Sequence, residues 1–362
     1  MASASQQFSG TKPVDLRQQF DAALLERYLR ERIEGFTGPL AVEQFKGGQS
    51  NPTFKLMTPA RDYVLRRKPA GKLLASAHAV DREYRVITAL RDSEVPVART
   101  WCLCEDDAVI GTTFFVMDCV AGRVFWDGAL PEQSRAERAA IYSDMNRVIA
   151  ALHRVNYQAV GLADYGKPGN YFERQIARWT RQYRASETGR MAAMERLIEW
   201  LPANIPPGDE TGIVHGDFRL DNLIFHPTEP RIVAVLDWEL STLGHPLADF
   251  AFHCMTWRLN MGPFRGIVGR NLTELGIPSE AEHMAAYCRA TGRAGIEPSH
   301  WDFYMAYNLF RGAAILQGIM GRVVDGTAAS PHAVEAGSAA RPLAEMGWQQ
   351  VEQLSARTSR VL

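Results

Sequence analysis

The chain has 362 residues, of which 46% are apolar and 22% are charged, and its formal net charge is −1. This composition is typical of a globular protein long enough for two lobes, and without a basic excess nucleic acid is a poor candidate for a partner. The apolar runs are too short for a membrane span, and the amino terminus lacks the basic and apolar regions of a secretory signal, so we expect a cytoplasmic protein.

The five cysteines are scattered along the chain. Cys102 and Cys104 are separated by one residue, but no second pair follows at the spacing of a zinc site. Reduced thiols in a cytoplasmic protein are therefore the preferred interpretation.

The first third of the chain is predicted to be rich in β-structure. Residues 1–14 are polar, and we expect them to be mobile. Apolar residues at helical spacing predict a helix over 16–33. Alternating and β-branched residues then predict several strands and one amphipathic helix. The strands are predicted over 40–45, 52–57, 62–67, 99–104 and 113–119, and the helix over 80–91.

Beyond about residue 120 the pattern becomes helical, apart from two short β-branched runs around 213–239. The predicted helices share an apolar stripe on one face and cover 132–155, 171–184, 191–201, 247–257, 279–290, 301–320 and 333–354. We therefore predict an α+β chain, with a β-rich amino-terminal lobe over 1–120 and a helical carboxy-terminal lobe over 121–362.

A polar loop between the two β-branched runs carries the strongest chemical signal in the sequence. Asp217 and Asn222 follow the first run, and Asp237 follows the second. Side chains at strand ends can be held rigidly toward a ligand. Phosphoryl transfer from a metal-bound nucleotide uses this set, because one carboxylate accepts the proton of the attacking hydroxyl while an amide oxygen and another carboxylate hold Mg²⁺.

The same loop resembles the signature of the aminoglycoside phosphotransferase and choline kinase-like family, which shares the protein-kinase fold. The resemblance lies in His215-Gly216-Asp217, Asn222 and Leu236-Asp237-Trp238, and it runs from about residue 40 to the carboxyl end. Three further phrases, at 63–69, 80–84 and 169–176, resemble the phosphotransferase modules associated with certain acyl-CoA dehydrogenases. The resemblance implies a two-lobed, kinase-like fold with an antiparallel sheet in the first lobe and mainly helices in the second.

Within this resemblance Asp217 is the expected catalytic base, and Asn222 and Asp237 are the expected Mg²⁺ ligands. Asp249 matches a family residue early in the next helix, where it is expected to cap backbone amides of the catalytic loop and to support it structurally. Alone, each of these residues could equally be a turn or helix-cap residue. Their joint spacing favours the functional interpretation.

Two other loop residues leave alternatives open. His215 could take part in proton transfer, although a histidine before the catalytic aspartate more often holds the loop through backbone hydrogen bonds. Arg219 could neutralise the γ-phosphate with a bidentate grip. Alternatively, Arg219 could form a salt bridge with Asp221 or another surface acid.

The turn at 46–51 is the candidate phosphate-covering turn of the nucleotide site. Gly48 permits close approach of the backbone to phosphate, and Ser50 or Asn51 can donate hydrogen bonds to it. The same letters also fit an ordinary hairpin turn.

Arg66 is the main departure from the family pattern, which usually places lysine at this point of the third strand. The lysine pairs with a helix glutamate, so Glu83 is the predicted partner of Arg66, and both are expected to support nucleotide binding. Arginine keeps the charge but changes the geometry. Lys68 is the second candidate for the lysine position, although Pro69 follows it.

The segment that ends the last predicted strand resembles the family's hinge between lobes. A purine could bond the Asp118 carbonyl and the Val120 amide, with Met117 behind the base. An apolar strand that enters a glycine turn would show the same letters.

Tyr171, Arg174 and Arg178 are the candidate acceptor residues, because they lie at near-helical spacing and the arginines could receive an anion such as the phosphates of a coenzyme A ester. Core packing and a solvated helix face are the alternatives. The last long helix is aromatic rather than acidic around 301–311, which argues against a cationic antibiotic as substrate.

These features together predict a kinase that uses ATP and Mg²⁺ to phosphorylate a hydroxyl of a small molecule. Kinship suggests a hydroxyacyl compound or its CoA ester as acceptor, and a functional link to an acyl-CoA dehydrogenase. The alternatives are a non-catalytic nucleotide-binding module and an aminoglycoside-type antibiotic kinase. A protein-serine kinase is disfavoured, because neither an Asp-Phe-Gly nor an Ala-Pro-Glu segment follows Asp237.

Overall fold

The computed structural model describes residues 10–46, 51–69, 79–260, 265–328 and 332–358. These residues divide into two compact units made of interleaved chain segments. The first unit takes its described residues from 1–165, 219–241 and 273–277, and the second from 166–218, 242–272 and 278–362. The predicted lobe boundary near residue 120 stays a prediction.

A six-stranded antiparallel sheet forms the framework of the first unit, in the order β1-β2-β3-β4-β6-β5. The antiparallel sheet predicted for the amino-terminal part of the chain is therefore confirmed. The strands are β1 (Thr11–Lys12), β2 (Ala41–Phe45), β3 (Thr53–Met57), β4 (Asp62–Arg67), β5 (Thr100–Cys104) and β6 (Phe114–Asp118).

The first strand lies within residues 1–14, whose expected mobility stays a prediction. Thr11 and Lys12 pair with Phe45 and Gln44 of β2, and the Thr11 hydroxyl donates to Glu43 at 2.5 Å. Two polar residues at a sheet edge carry no periodic signal, so the sequence could not reveal this pairing. Residues 1–9 lie outside the described residues.

Helix α1 (Ala22–Arg32) belongs to the same core as the sheet. It begins after Asp21, whose carboxylate accepts from the amides of Ala23 and Leu24. The buried cluster combines side chains from the helix and from alternate strand positions, namely Leu25, Leu29, Phe54, Leu56, Tyr63, Leu65, Phe114 and Val116. Because side chains alternate along a strand, Arg66 leaves β4 on the side opposite Leu65.

Helix α2 (Val80–Leu90) carries Glu83 and is anchored by two arginines on its first turns. Arg82 donates to the Tyr165 carbonyl at 2.6 Å, and its guanidinium lies 4.3 Å from the Tyr165 ring centroid. Arg85 donates to the Gly161 carbonyl at 2.9 Å and pairs with Asp164. These contacts fix the helix against the segment that precedes residue 166.

The rest of the first unit includes a short hairpin and three further helices. The hairpin consists of β8 (Leu223–Phe225) and β9 (Ile232–Val235), flanked by 3₁₀ turns at Leu220–Asn222 and Trp238–Leu240. The helices are α3 (Asp107–Ile110), α4 (Arg135–Arg154) and α8 (Leu272–Leu275), of which Leu272 is assigned to the second unit, and a further 3₁₀ turn covers Leu16–Gln18.

The second unit is mainly helical, as the sequence predicts. Its strands β7 (Gly212–Val214) and β10 (Thr242–Gly244) pair antiparallel. Its helices are α5 (Tyr171–Ala185), α6 (Ala192–Ala203), α7 (Pro246–Cys254), α9 (Glu280–Thr291), α10 (Pro298–Val324), α11 (Ala333–Ser338) and α12 (Ala340–Thr358), with a 3₁₀ turn at Met255–Trp257. Helix α10 is buried over most of its circumference and forms the core of this unit. Within the described ranges, no helix combines the length and apolar character needed to cross a membrane.

Candidate active site

The β8–β9 hairpin brings Asn222 and Asp237 to the same end of one structural element. Leu223 lies opposite Val235, and the Leu236 amide donates to the Asn222 carbonyl at 2.8 Å. Asn222 is buried, whereas the Asp237 side chain is 35% exposed. Asp237 has a positive φ of 64°, a conformation that aspartate tolerates better than most residues.

An amide oxygen and a carboxylate oxygen are hard donors of the kind that Mg²⁺ takes in proteins. The donor types of Asn222 and Asp237 therefore fit this ion. Among the described residues, no group of three or more His, Cys, Asp or Glu could hold a metal ion. The pair fits the class of site in which Mg²⁺ keeps several waters and takes further oxygens from phosphate.

Arg66 lies between the glutamate of α2 and the aspartate of the hairpin. Its Nε is 2.9 Å from Glu83 Oε2, an ion pair rather than an aligned hydrogen bond. Its Nη2 is 2.7 Å from Asp237 Oδ1 and 3.7 Å from Glu239 Oε2. The sequence predicts the contact with Glu83 but gives no indication of the contact with Asp237.

Burial and neighbouring charges shift the pKa values of Arg66 and Glu83. Burial acts to lower the pKa of Arg66, but the surrounding carboxylates, Glu83 first, outweigh burial and raise that pKa. Burial, opposed by the charge of Arg66, raises the pKa of Glu83 to about 7. Asn51, which is fully buried, donates from Nδ2 to Glu83 Oε1 at 2.7 Å and so holds the second oxygen of that carboxylate.

The two basic residues that follow Arg66 contact other groups. Arg67 donates to the backbone and side-chain oxygens of Gln18 at 2.9 and 2.8 Å, on the opposite face of the strand. Lys68 is 3.4 Å from Asp81. Arg66, rather than Lys68, therefore takes the place beside Glu83.

The other nucleotide candidates divide into two groups. Gly48 and Ser50 lie outside the described residues. Asp118 ends β6, and its carboxylate accepts from Trp101 Nε1 at 2.7 Å, whereas Met117 and Val120 are half-buried. These positions match the end of a strand that runs into a loop, and their contact with a purine stays a prediction.

In the second unit, Asp249 near the start of α7 holds the backbone that leads to Asp217. Its two carboxylate oxygens accept from the amides of His215 and Gly216 at 2.7 and 2.8 Å. These are the amide contacts that the family resemblance implies for Asp249. Its supporting role in catalysis stays a prediction.

His215 is fully buried, and its Nδ1 accepts from the Asp217 amide at 3.1 Å. The contact corresponds to the loop-holding alternative for this histidine. Asp217 itself is half-buried. Arg219 Nη2 lies 3.5 Å from Asp221 Oδ2, which corresponds to the salt-bridge alternative, while the Arg219 side chain remains 33% exposed.

The three acceptor candidates lie on the first turns of α5. Tyr171 packs against the rings of Phe172 and Tyr307, with centroids 5.5 and 6.5 Å away, and burial raises the pKa of its hydroxyl. Arg174 donates to the Lys167 carbonyl, whereas Arg178 is exposed beside Trp179. These contacts resemble a core and a solvated face, and an acceptor role stays a prediction.

Two residues of these clusters have no predicted role. Glu239 stands two residues after Asp237, so a second acid at that spacing was the available signal. Arg311 of α10 donates from Nη2 to the Gly216 carbonyl at 2.6 Å. Its position in the sequence gives no such signal, because it is almost 100 residues from the loop and lies in an aromatic helix.

The chain resembles curated proteins over nearly its whole length. Acyl-CoA dehydrogenase family member 10 from Mus musculus is 45% identical over 93% of this chain, and family member 11 from Homo sapiens is 41% identical over 94%. The chain covers only 32% and 44% of those two proteins, respectively, so it spans less than half of their length.

Solved structures show the same relationship. A provisionally named aminoglycoside phosphotransferase from Ralstonia eutropha is 58% identical, with a TM-score of 0.86 over 92% of this chain and 99% of that chain. Aminoglycoside phosphotransferase APH(4)-Ia, crystallised with AMP-PNP and hygromycin B, is 17% identical with a TM-score of 0.58 over 91% of this chain and 99% of that chain, which shows the fold alone. The kinase-like α+β fold expected from the sequence is thus confirmed.

The model of the phosphotransferase enzyme family, APH, matches residues 41–283. The matched range includes strands β2 to β6 of the sheet, both strands of the hairpin and the loop that carries Asp217. The chain therefore belongs to the phosphotransferase enzyme family.

Proposed function

We propose that this chain is a kinase that transfers the γ-phosphate of ATP, with Mg²⁺, to a hydroxyl group of a small molecule. The observation that carries the proposal is the hairpin that joins Asn222 and Asp237 at one end, with the Arg66–Glu83 pair bound to the same aspartate. Family membership alone would not support the proposal, because proteins that share a fold can differ in activity.

Asp217 is proposed as the base that orients the acceptor hydroxyl and takes its proton. A loose phosphoryl-transfer transition state needs little covalent help, so positioning and electrostatics dominate. Asn222 and Asp237 would hold the metal through their side-chain oxygens. When bound, Mg²⁺ supplies positive charge that neutralises the phosphate oxygens during transfer.

We propose that residues of the first unit bind the nucleotide. Arg66, kept in place by Glu83, presents a permanent positive charge suited to phosphate. Gly48 and Ser50 are proposed to cover the phosphates, and Asn51, which is buried against Glu83, is proposed to support the end of that turn. Met117, Asp118 and Val120 are proposed to receive the base, and Arg219 is proposed to meet the γ-phosphate.

The acceptor is proposed to be a hydroxylated acyl compound or its CoA ester. The support is kinship: the matched curated relatives are named acyl-CoA dehydrogenases, and their similarity to this chain covers 93% and 94% of it. Tyr171, Arg174 and Arg178 are the proposed acceptor residues. A functional link to an acyl-CoA dehydrogenase follows from the same names.

The test is ADP release by the purified chain with Mg²⁺-ATP and a panel of hydroxyacyl-CoA esters, free hydroxy acids and aminoglycosides. We expect turnover with a hydroxyacyl compound, and D217N should lose it by about 10³-fold or more while it still binds nucleotide. D92N, at an 89% exposed aspartate, is the matched control and should keep full activity. Absence of turnover with every acceptor, together with absence of nucleotide binding, would reject the proposal.

A non-catalytic nucleotide-binding module is the second candidate, and the Arg66–Asp237 contact is the observation that favours it. A guanidinium bound to the candidate metal ligand competes with a cation for the same carboxylate. Turnover that depends on Mg²⁺ rejects this candidate, whereas nucleotide binding without turnover supports it.

A further inference from the structure

Hydrogen bonds hold successive peptide groups just before Asp217. The amides of His215 and Gly216 donate to the two oxygens of Asp249. The next peptide, between Gly216 and Asp217, is held on both sides. Its N–H donates to His215 Nδ1 at 3.1 Å, and its carbonyl accepts from Arg311 Nη2 at 2.6 Å.

Arg311 is deeply buried, with 7% of its surface exposed. Its guanidinium lies 5.1 Å from the ring centroid of Phe252 and 5.7 Å from that of Trp179. Across the described ranges, no carboxylate lies within 4.0 Å of it to form an ion pair. The Gly216 carbonyl and two aromatic faces are thus its principal partners.

A buried guanidinium that is not paired with a carboxylate contributes little to the stability of a fold. Burying a charge is costly unless it is paired, and apolar residues of similar volume often stabilise a core as well or better. The aromatic faces return part of that cost, but a methionine could pack against them too. The contact with the Gly216 carbonyl is therefore the feature that an apolar side chain could not reproduce.

Gly216 makes this contact more important. Its φ is 84°, a region in which glycine moves freely and most other residues are strained. A glycine directly before the candidate base allows the following peptide plane to rotate. Arg311 opposes this rotation from the carbonyl side, while His215 opposes it from the amide side.

The same helix also supports the residue next to Asp249. Asn308, one turn before Arg311 on α10, donates from Nδ2 to the Ala248 carbonyl at 2.9 Å. Helix α10 therefore contacts the loop directly through Arg311 and contacts α7 through Asn308. The first contact holds the backbone directly before Asp217, and the second holds the residue next to Asp249, which binds that backbone.

We infer that Arg311 is a positioning residue, which fixes the Gly216–Asp217 peptide so that the carboxylate of Asp217 points in one direction. The inference rests on the proposed function in one respect, namely that Asp217 is the base. Small displacements of a reacting group cost large factors in rate, so the effect should be on turnover rather than on ground-state binding.

The test compares R311M, R311K and the control R258M. R311M should lower kcat by about 10- to 100-fold with the KM for ATP within about two-fold, and its Tm should stay within about 2 °C of wild type because the lost bond and the removed buried charge offset each other. R311K, which keeps a donor, should recover part of kcat. Arg258 pairs with Glu280 and Gln350, away from the loop, so R258M should lower Tm and leave kcat unchanged.

Amide hydrogen exchange of residues 215–218 separates this inference from the proposed function. R311M should exchange faster there and should match wild type in the helices of the first unit. If wild type turns over but R311M keeps its kcat, or loses kcat only together with a large fall in Tm, the positioning role is wrong and the kinase proposal stands. If wild type has no turnover, the kinase proposal fails, and unchanged exchange in R311M would overturn the positioning role as well.

Discussion

At the scale of single residues, Arg66 joins two parts of the candidate site. The guanidinium joins Glu83 through Nε and Asp237 through Nη2. A lysine has one compact ammonium and lacks the planar fork that reaches two carboxylates in different directions. Arg66 therefore links the helix glutamate to the hairpin aspartate in a way that a lysine cannot copy.

The Arg66–Glu83 pair should be strongly coupled, because Glu83 is 2% exposed and the Arg66 side chain is 11% exposed. R66M leaves the buried Glu83 carboxyl without its cation, so the group must stay charged at a cost or take up a proton, and we expect the loss of the pair to cost about 3–5 kcal/mol of unfolding free energy. E83Q in the same background removes the orphaned carboxyl and should restore more than about 1 kcal/mol of that loss. Urea unfolding of the two single variants and the double variant measures the coupling.

Lys68 offers a matched control for this cycle. It belongs to the same segment and pairs with Asp81, but its side chain is 32% exposed. K68M should change stability by less than about 0.5 kcal/mol. Additive effects of R66M and E83Q would show that the two side chains do not interact and would remove the structural basis for assigning Arg66 to the lysine position.

Residue-level contacts could be predicted where the family resemblance names both partners. The pairing of Arg66 with Glu83 and the amide contacts of Asp249 could be expected, because the resemblance implies both. The Arg66–Asp237 and Arg311–Gly216 contacts could not, because they join residues 171 and 95 positions apart. Nothing in local periodicity encodes such distances.

At the scale of elements, strands and helices with clear periodicity were predictable, and short elements were not. Strand β1 and helix α3 have two and four residues, too few to show a period. Gly122 illustrates a constraint that only the structure reveals. A Cβ there would stand 2.2 Å from the Phe225 carbonyl oxygen, so the segment after β6 approaches β8 more closely than any side chain permits.

The packing of α7 on α9 includes a buried pair of histidines. His253 Nε2 lies 3.0 Å from His283 Nε2, and His283 also packs on Trp257 with ring centroids 4.7 Å apart. Burial, followed by the neighbouring His253, holds the pKa of His283 well below its usual range. The helix pair therefore favours the neutral form of His283.

This burial makes stability depend on pH in a defined direction. Below about pH 6.5 the histidine of the unfolded chain binds a proton that His283 of the folded protein does not. The free energy of unfolding therefore keeps its full value above that pH and decreases as the pH falls below it. The loss approaches about 1.4 kcal/mol per pH unit for one proton. Urea unfolding at pH 7.5 and 5.5 should show H283Q losing about 1 kcal/mol less than wild type.

His332, with a side chain 53% exposed, provides the control for this comparison. H332Q should lose as much stability between the two pH values as wild type does, because about half of the His332 side chain stays in contact with water when the protein folds. An equal loss in H283Q and wild type would mean that His283 takes up its proton in the folded protein, contrary to the burial argument.

At the scale of the whole molecule, family and fold follow from the sequence far more readily than the acceptor. The motif around Asp217 and the strand pattern together indicate the phosphotransferase fold, because both extend over many residues and point to the same fold. The proposed acceptor residues on α5 are of types that also suit a core or a solvated helix face, so their sequence does not identify an acceptor. The chain also spans less than half of the length of the curated relatives, so their names describe longer proteins and do not identify the acceptor of this chain.

Ligand-dependent stability tests whether Asp237 holds the metal. A ligand at 100 times its Kd stabilises the folded state by about 2.7 kcal/mol, which should raise Tm by roughly 3–6 °C. For wild type we expect most of this shift with AMP-PNP and Mg²⁺ together, and little with AMP-PNP and a chelator.

D237N should lose the Mg²⁺-dependent part of the Tm shift, because a neutral amide is a weaker ligand than a carboxylate, whereas D217N should keep it. If D237N keeps the full Mg²⁺-dependent shift, the metal is held elsewhere and Asp237 serves chiefly to anchor Arg66.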